Sequence, residues 1–414
     1  MLNNFIRLSS FEVQLILLLT IFITLTFFSR KLLKKISLPT VLGPLFIGLI
    51  INYLISYDTF SFIPDFDIIL SSFSNLGIIL LLFLLGLKIN LTFVKDMTKN
   101  SSIMALNAGI IPFTLGFFAT STFGYNIYQS LFVGICLSIT AEEVSLSILK
   151  EANLVKKKIG KLILEAGIIG DIFEIYIIAI LAIIMKSQNH NTEVFWFSIA
   201  AEFVGFTVLI ILIRYYVIPI IFNMMGDHPK KHELLLGNLV ILFLTTLSSE
   251  LLNFGYFIGA LASGILIKDM LIENEELYNE KHIVSVIETI SFGFFEPIVF
   301  IWIGISINIS AVFSNIWFGV VLTIIATVGK IFGSMMGNYF CKQSIKEGFL
   351  IGWALNARGS TELFAIIIAK NQNIIPVEIF NAIIFMALVT TVISPIIFKI
   401  LVNSKMYSKM LNKN

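Results

Sequence analysis

Residues 161–181 read KLILEAGIIGDIFEIYIIAIL, an apolar run with Asp171 at its middle and Glu174 three residues later. About 20 such residues cross the ~30 Å hydrocarbon layer of a bilayer as a helix. A charge at that depth costs about 2.5–3.5 kcal/mol even on a lenient insertion scale. Desolvation favours the neutral form of such a carboxylate, so protonation and cation binding become alternatives. The run therefore predicts a membrane helix in which Asp171 binds either ion. The plainer alternative is a permanently protonated or ion-paired structural aspartate.

The whole chain has the composition of a membrane protein. Of its 414 residues 57% are hydrophobic and 13% are charged, against about 25% charged in soluble proteins. We predict an all-α polytopic membrane protein with about 13 transmembrane helices, and hence no separate soluble domain. A net charge of +2 argues against a nucleic-acid partner, and two cysteines are too few for a disulfide framework or a four-ligand metal site. No cofactor is expected. The predicted spans are 11–29, 37–57, 68–87, 101–123, 127–149, 163–185, 194–213, 234–252, 254–267, 290–309, 316–340, 348–369 and 377–398.

The basic residues predict the orientation of these spans. Most of the 28 Lys and Arg residues fall in alternate connections, which is typical of the cytosolic side. This pattern places the N-terminus outside and the C-terminus in the cytosol of a bacterial inner membrane. The longest hydrophilic connection, from Lys268 to Val286, is predicted to be an amphipathic surface helix linking two halves.

The predicted spans contain many more acids than bases. The only bases within them are Lys330 and Arg358. A pathway with this excess of carboxylates favours cations over anions, and its carboxylates can carry protons. Apart from Glu12 and Glu378, each the second residue of its span, the acids are Glu142, Glu143, Glu165, Asp171, Glu174, Glu202, Glu250, Glu296 and Glu362.

The fifth span is interrupted by Thr140, Glu142 and Glu143. Adjacent glutamates point about 100° apart on a helix, so they do not share one face. Either the helix breaks here and exposes carbonyls that bind a cation, or one glutamate faces a water-filled cavity. A glutamate that extends to the inner surface is the structural alternative.

Two basic residues lie near the middle of later spans. Arg358 and Glu362 stand at positions i and i+4, where a structural ion pair is the favoured interpretation. Lys330 can compensate charge in the cation-free state and leave when a cation arrives, or it can form an ordinary ion pair.

Several motifs resemble the cation:proton antiporter-2 family, in order and over nearly the whole chain. NARGSTEL at 356–363 is similar to that family's N-x-RG-x-x-EL pattern and is the most specific match. The others are KKISLPTVLGPLFIGLIIN at 34–52, NLGIILLLFLLGLKINL at 75–91, FIGALASGILI at 257–267, FEPIVFIWIGISINI at 295–309 and GKIFGSMMG at 329–337.

The resemblance implies an inverted-repeat fold with two crossing broken helices, spans 5 and 12, and a homodimer. Spans 2–6 and 9–13 would be the repeats. The implied domains are a dimerisation domain (1–100 and 230–310), a linker helix (191–215), a core domain (101–190 and 311–401) and a cytosolic tail (402–414).

The chain departs from the family pattern beside Asp171. Gly170 stands where the family commonly has an acidic or polar residue, and Glu174 stands where it has glycine. We hypothesise that Glu174, one helical turn away, replaces the missing carboxylate. Lys330 would then pair with Glu174, or with Glu142 or Glu143.

The predicted function is antiport of a monovalent cation (Na+, Li+ or K+) against protons, which makes the protein a transporter rather than an enzyme. Asp171, Glu174, Thr140, Glu142 and Glu143 are the expected ion or proton ligands, with Na+ or K+ on Asp171 and Thr140. Lys330, Arg358 and Glu362 are expected to compensate charge. The alternatives are an organic-anion symporter or facilitator on the same fold and a non-transporting cation sensor.

Overall fold

The structure is a computed structural model. It describes residues 11–35, 39–55, 66–88, 99–170, 204–226, 229–252, 255–273, 280–307, 316–359 and 375–404, together with residues 362, 366, 369, 370 and 407. Within these ranges every regular element is helical. The predicted all-α architecture is therefore confirmed for the described part of the chain.

The helices are numbered here in chain order. They are α1 Phe11–Lys35, α2 Leu42–Ile55, α3 Phe66–Lys88, α4 Lys99–Thr122, α5 Ile127–Ser138, α6 Glu142–Glu151, α7 158–170, α8 Val204–Met225, α9 Lys231–Leu251, α10 Tyr256–Glu273, α11 280–306, α12 Ile316–Phe340, α13 Ile345–Leu355 and α14 Val377–Asn403. One π-helical turn interrupts α8 at Ile213–Val217 and another interrupts α11 at Ser291–Phe295.

Eight of the described helices are long and apolar enough to cross a membrane. They are α1, α3, α4, α8, α9, α11, α12 and α14, and α2 and α5 are shorter apolar helices. A described helix lies within part of every predicted span. The count of thirteen transmembrane helices stays a prediction.

The connection from Lys268 to Val286 differs from its prediction. Its first part belongs to α10, which continues to Glu273, and its last part belongs to α11. Lys268, Met270 and Leu271 are buried, so packing of this extra turn holds α10 beyond the polar boundary that the sequence indicated. Residues 274–279 lie outside the described ranges.

The chain divides into two compact units. Unit 1 comprises Met1–Arg30, Gly43–Phe93 and Lys186–Ser306, and unit 2 comprises Lys31–Leu42, Val94–Met185 and Ile307–Asn414. The predicted roles of dimerisation domain and core domain stay predictions.

Two close crossings in unit 1 are made by glycine pairs. A Cβ on Gly48 of α2 would lie 2.9 Å from Cα of Gly304 in α11, and a Cβ on Gly86 of α3 would lie 2.9 Å from Cα of Gly264 in α10. Small residues let helix backbones approach closely in membrane proteins. These four positions therefore fix the spacing of two helix pairs.

The π-helical turn of α11 is held by a residue from α1. Arg30 Nη1 donates to the carbonyl of Phe292 at 3.0 Å, and Nη2 donates to the carboxylate of Glu296. Glu296 is buried, with 7% of its surface exposed. This intramembrane acid of unit 1 is therefore paired with an arginine.

In unit 2 a glycine stripe joins α12 to α4. Cβ atoms on Gly329 and Gly333 would lie 2.8 Å from Cα of Pro112 and 2.4 Å from the carbonyl oxygen of Asn107. Gly337 continues the stripe one turn later, against Met104. The contact fixes the side of α12 that faces α4 and, with it, the direction of Lys330.

Candidate ion-binding site

The fifth predicted span is broken at its middle. Helix α5 ends at Ser138 and α6 begins at Glu142, with Ile139 (φ −57°, ψ 145°) and Ala141 (φ −87°, ψ 97°) in extended conformations between them. The last four carbonyls of a helix have no partner within it. In α5 these belong to residues 136–139, so the break presents four main-chain oxygens inside unit 2.

Lys330 of α12 binds one of these oxygens. Its ammonium group donates to the carbonyl of Ser138 and, at 2.8 Å, to the hydroxyl of Thr140. Only 1% of Lys330 is exposed. A buried ammonium is therefore tethered directly to the break.

Arg358 binds the other three oxygens. Nη1 donates to the carbonyls of Cys136, at 3.2 Å, and of Ile139, and Nη2 donates to the carbonyl of Leu137 at 2.8 Å. The carbonyl end of a helix carries partial negative charge, so cations are stabilised there. Together Lys330 and Arg358 satisfy all four terminal carbonyls of α5.

A second interruption meets the first. Helix α13 ends at Leu355, and residues 357–359 have no regular structure. The N–H of Ala141 donates to the carbonyl of Ala357 at 3.0 Å, and the hydroxyl of Ser145 in α6 donates to the carbonyl of Ala354 at 2.8 Å. Main-chain groups at the two interruptions are thus hydrogen-bonded to each other.

Helix α14 supports the second interruption with polar side chains. The hydroxyl of Thr391 accepts from the N–H of Arg358 at 3.2 Å and lies 2.9 Å from that residue's carbonyl oxygen. The amide of Asn356 donates to the hydroxyl of Ser394 at 3.0 Å. Sequence reasoning missed these contacts. The signal that could have indicated them is the group of hydroxyl residues Thr390, Thr391 and Ser394 in an otherwise apolar span.

Arg358 also pairs with Glu362, as their spacing predicts. Nε of Arg358 lies 3.7 Å from a carboxylate oxygen of Glu362. Both side chains are buried, with exposures of 1% and 0%. The charge of the guanidinium is thus shared between a carboxylate and three carbonyls.

The structure brings Thr140, Lys330, Arg358 and Glu362 into one region of unit 2. Asp171 and Glu174 lie outside the described residues. The main chains of Glu142 and Glu143 open α6, but their side chains are outside the described part. The ion-binding roles of all these residues stay predictions.

The chemistry of the described site is that of oxygen ligands. Carbonyl and hydroxyl oxygens are the ligands that hard cations prefer. Within the described ranges no group of three or more His, Cys, Asp or Glu side chains is arranged to hold a metal ion. Thr140, the predicted Na+ or K+ ligand, has its hydroxyl bound to an ammonium here.

Comparison with known proteins finds similarity to antiporters over nearly the whole chain. The chain is 24% identical over 382 residues to a Na+/H+ antiporter of Enterococcus hirae, covering 92% of the chain and 96% of that protein. It is 27% identical over 382 residues to the Na+/H+-K+ antiporter GerN of Bacillus cereus, covering 91% and 94%.

A solved structure has the same fold. The sodium proton antiporter MjNhaP1 of Methanocaldococcus jannaschii, at pH 8, superposes with a TM-score of 0.70 and 16% identity, covering 97% of this chain and 100% of that one. The family model described as "Sodium/hydrogen exchanger, transmembrane" matches residues 17–404. The chain is therefore a multi-pass membrane protein that belongs to the sodium/hydrogen exchanger family.

Proposed function

We propose that this protein is a monovalent cation:proton antiporter in which Asp171 binds the two ions alternately. The names of its relatives, which include Na+/H+ and K+ antiporters, support the substrate class. The observation that carries the proposal is the break between α5 and α6. There the buried side chains of Lys330 and Arg358 bind four main-chain oxygens beside Thr140.

The break supplies a means of charge compensation. The ammonium of Lys330 occupies the carbonyl of Ser138 and the hydroxyl of Thr140, two oxygens of the kind that an alkali cation binds. A cation that arrives at Asp171 and Thr140 would displace this ammonium. When the cation leaves, Lys330 would return and keep the oxygens satisfied. The role of Arg358 is to hold the carbonyl end of α5 in place, because its guanidinium donates to three of the four terminal carbonyls.

The finer architecture belongs to the same proposal. We infer thirteen transmembrane helices in two inverted repeats, spans 2–6 and 9–13, with broken helices in spans 5 and 12 that cross. The glycine contacts support this pairing. Gly48 in span 2 contacts Gly304 in span 10, and Gly264 in span 9 contacts Gly86 in span 3. In the proposed repeat, span 2 corresponds to span 9 and span 3 to span 10, so the two contacts are equivalent. Homodimerisation through unit 1, an inner-membrane location and an outside N-terminus complete the proposal.

Proteoliposomes with a pH gradient test the function. Addition of Na+, K+ or Li+ should dissipate the gradient with the wild type and fail to do so with Asp171→Asn. Glu250→Gln is the matched control, because this exposed carboxylate lies in unit 1. Gradient dissipation by Asp171→Asn at the wild-type rate would overturn the role of Asp171. A wild type that leaves the gradient intact with all three cations would refute antiport and leave the organic-anion and sensor alternatives.

The Glu174 hypothesis has its own test. If Glu174 replaces the missing carboxylate, Glu174→Gln should alter the rate or the pH dependence of exchange. Wild-type rates and pH dependence in Glu174→Gln would exclude it.

A further inference from the structure

Unit 2 contains a buried carboxylate that the site at the α5 break does not use. Glu165 of α7 has 5% of its surface exposed and is surrounded on its own helix by the buried residues Leu162, Ile163 and Ala166. A carboxylate in apolar surroundings is retained only where its charge is compensated. The contacts of its two oxygens therefore indicate what it does.

The two oxygens of Glu165 are held by partners of different kinds. One accepts a hydrogen bond from the hydroxyl of Ser101, a buried residue at the start of α4. The other lies 3.5 Å from the ammonium of Lys161 on the preceding turn. The hydroxyl is part of the packed interior, whereas the ammonium reaches in from the surface.

Lys161 is a loosely held counter-ion. Its side chain is 70% exposed, against 7% for Glu165. Ion pairs with one highly exposed partner are weak, because solvent and dissolved ions compete for both charges. Lys161 can therefore leave without disturbing the packing of α7, and another cation can take its place.

The position of Glu165 relates it to the proposed transport pathway. It precedes Asp171 by six residues in sequence, and the basic residues before it lie on the predicted cytosolic side. A buried negative charge near a surface raises the local concentration of cations. Glu165 thus lies between the cytosolic surface and Asp171 along the chain.

We propose that Glu165 and Ser101 form a second cation site at the cytosolic side of unit 2, which Lys161 occupies until a monovalent cation displaces it. The carboxylate and hydroxyl oxygens supply hard ligands for that cation. The site binds the cation before it reaches Asp171 and so sets the apparent affinity for the cytosolic cation. This inference rests on the proposed antiport function.

The test compares two substitutions, Glu165→Gln and Lys161→Gln, that should change the apparent KM for the cytosolic cation in opposite directions. Apparent KM values for Na+ and K+ are measured in oriented proteoliposomes, with the cation added to the cytosolic side and then to the external side. Glu165→Gln should raise the cytosolic KM roughly three- to tenfold. Lys161→Gln should lower it by up to about fivefold, because the tethered competitor is gone. Lys158→Gln is the matched control, since it removes the same charge from an exposed position on α7.

The outcomes separate this inference from the proposed function. A wild type without cation-dependent proton flux refutes antiport itself. With a functional wild type, an unchanged cytosolic KM in Glu165→Gln overturns the second site, as does an equal change on both sides. If Glu165→Gln does not fold, Lys161→Gln decides the matter. A cytosolic KM in Lys161→Gln at or above that of Lys158→Gln overturns the proposal.

Discussion

Replacing Arg358 with methionine tests how the break in the fifth span is held open. Methionine keeps much of the aliphatic volume and removes every donor. The change leaves the carbonyls of Cys136, Leu137 and Ile139 without the guanidinium, and it removes the ion pair to Glu362. Lys330 remains on the carbonyl of Ser138.

The expected loss of stability follows from these contacts. A buried acceptor that loses its partner costs about 1–3 kcal/mol. If the costs of the three carbonyls simply added, the total would therefore span a wide range. Breaking a buried ion pair by removing one partner costs about 3–5 kcal/mol. Because the contributions share one side chain and are not additive, we expect a total of about 3–5 kcal/mol. Arg214→Met is the control. Its partners Asp269 and Glu273 are 53% and 59% exposed, so each pair contributes about 0–1 kcal/mol.

The loss of stability is measured as a shift of the melting temperature in detergent, with size-exclusion chromatography as the readout of unfolding. Arg358→Met should melt several degrees below both the wild type and Arg214→Met. The double variant Arg358→Met/Glu362→Gln should recover part of the loss, because the carboxylate charge is also gone. A melting temperature of Arg358→Met equal to that of Arg214→Met would refute the reasoning from the carbonyls.

Two further predictions concern packing and thiol chemistry in unit 2. Gly333→Ala should destabilise the protein by about 1–3 kcal/mol, since its Cβ would lie 2.4 Å from the carbonyl oxygen of Asn107. Gly109→Ala, whose Cβ would meet nothing within 4 Å, should melt at or above the wild-type temperature, and equal melting of the two variants would contradict the packing argument. Burial raises the pKa of the Cys341 thiol, so less thiolate is present at neutral pH and maleimide labelling, followed by mass spectrometry, should still be accelerating above pH 9. Labelling that levels off below pH 9 would contradict the raised pKa, and buried Cys136 should react only after unfolding.

The helical architecture was predictable because a bilayer imposes a length and a composition on each span. Pairing of Arg358 with Glu362 was predictable for a similar reason, since the two residues are only four positions apart in sequence. These are local properties of the chain. The C-terminal end of α10 was less predictable, because it depends on the burial of Met270 and Leu271, which the polar character of the surrounding sequence does not indicate.

The acceptors of Arg358 could not be predicted from local sequence. They lie on α5, more than two hundred residues earlier, and they are main-chain carbonyls that any residue type can supply. The charge of an intramembrane arginine indicates only that acceptors exist. The contacts of Thr391 and Ser394 could not be predicted, because hydroxyl residues are common in membrane helices. Their partners, Arg358 and Asn356, lie in the interruption that follows α13.

The glycine pairs of unit 1 have a consequence for suppressor genetics. At the crossings of Gly48 with Gly304 and of Gly86 with Gly264, each added Cβ would contact the partner backbone. A larger side chain at such a contact is usually rescued by a smaller one opposite, but here the opposite residue is already the smallest. Second-site revertants of a substitution at either pair should therefore map away from the contact, to residues that let a whole helix shift.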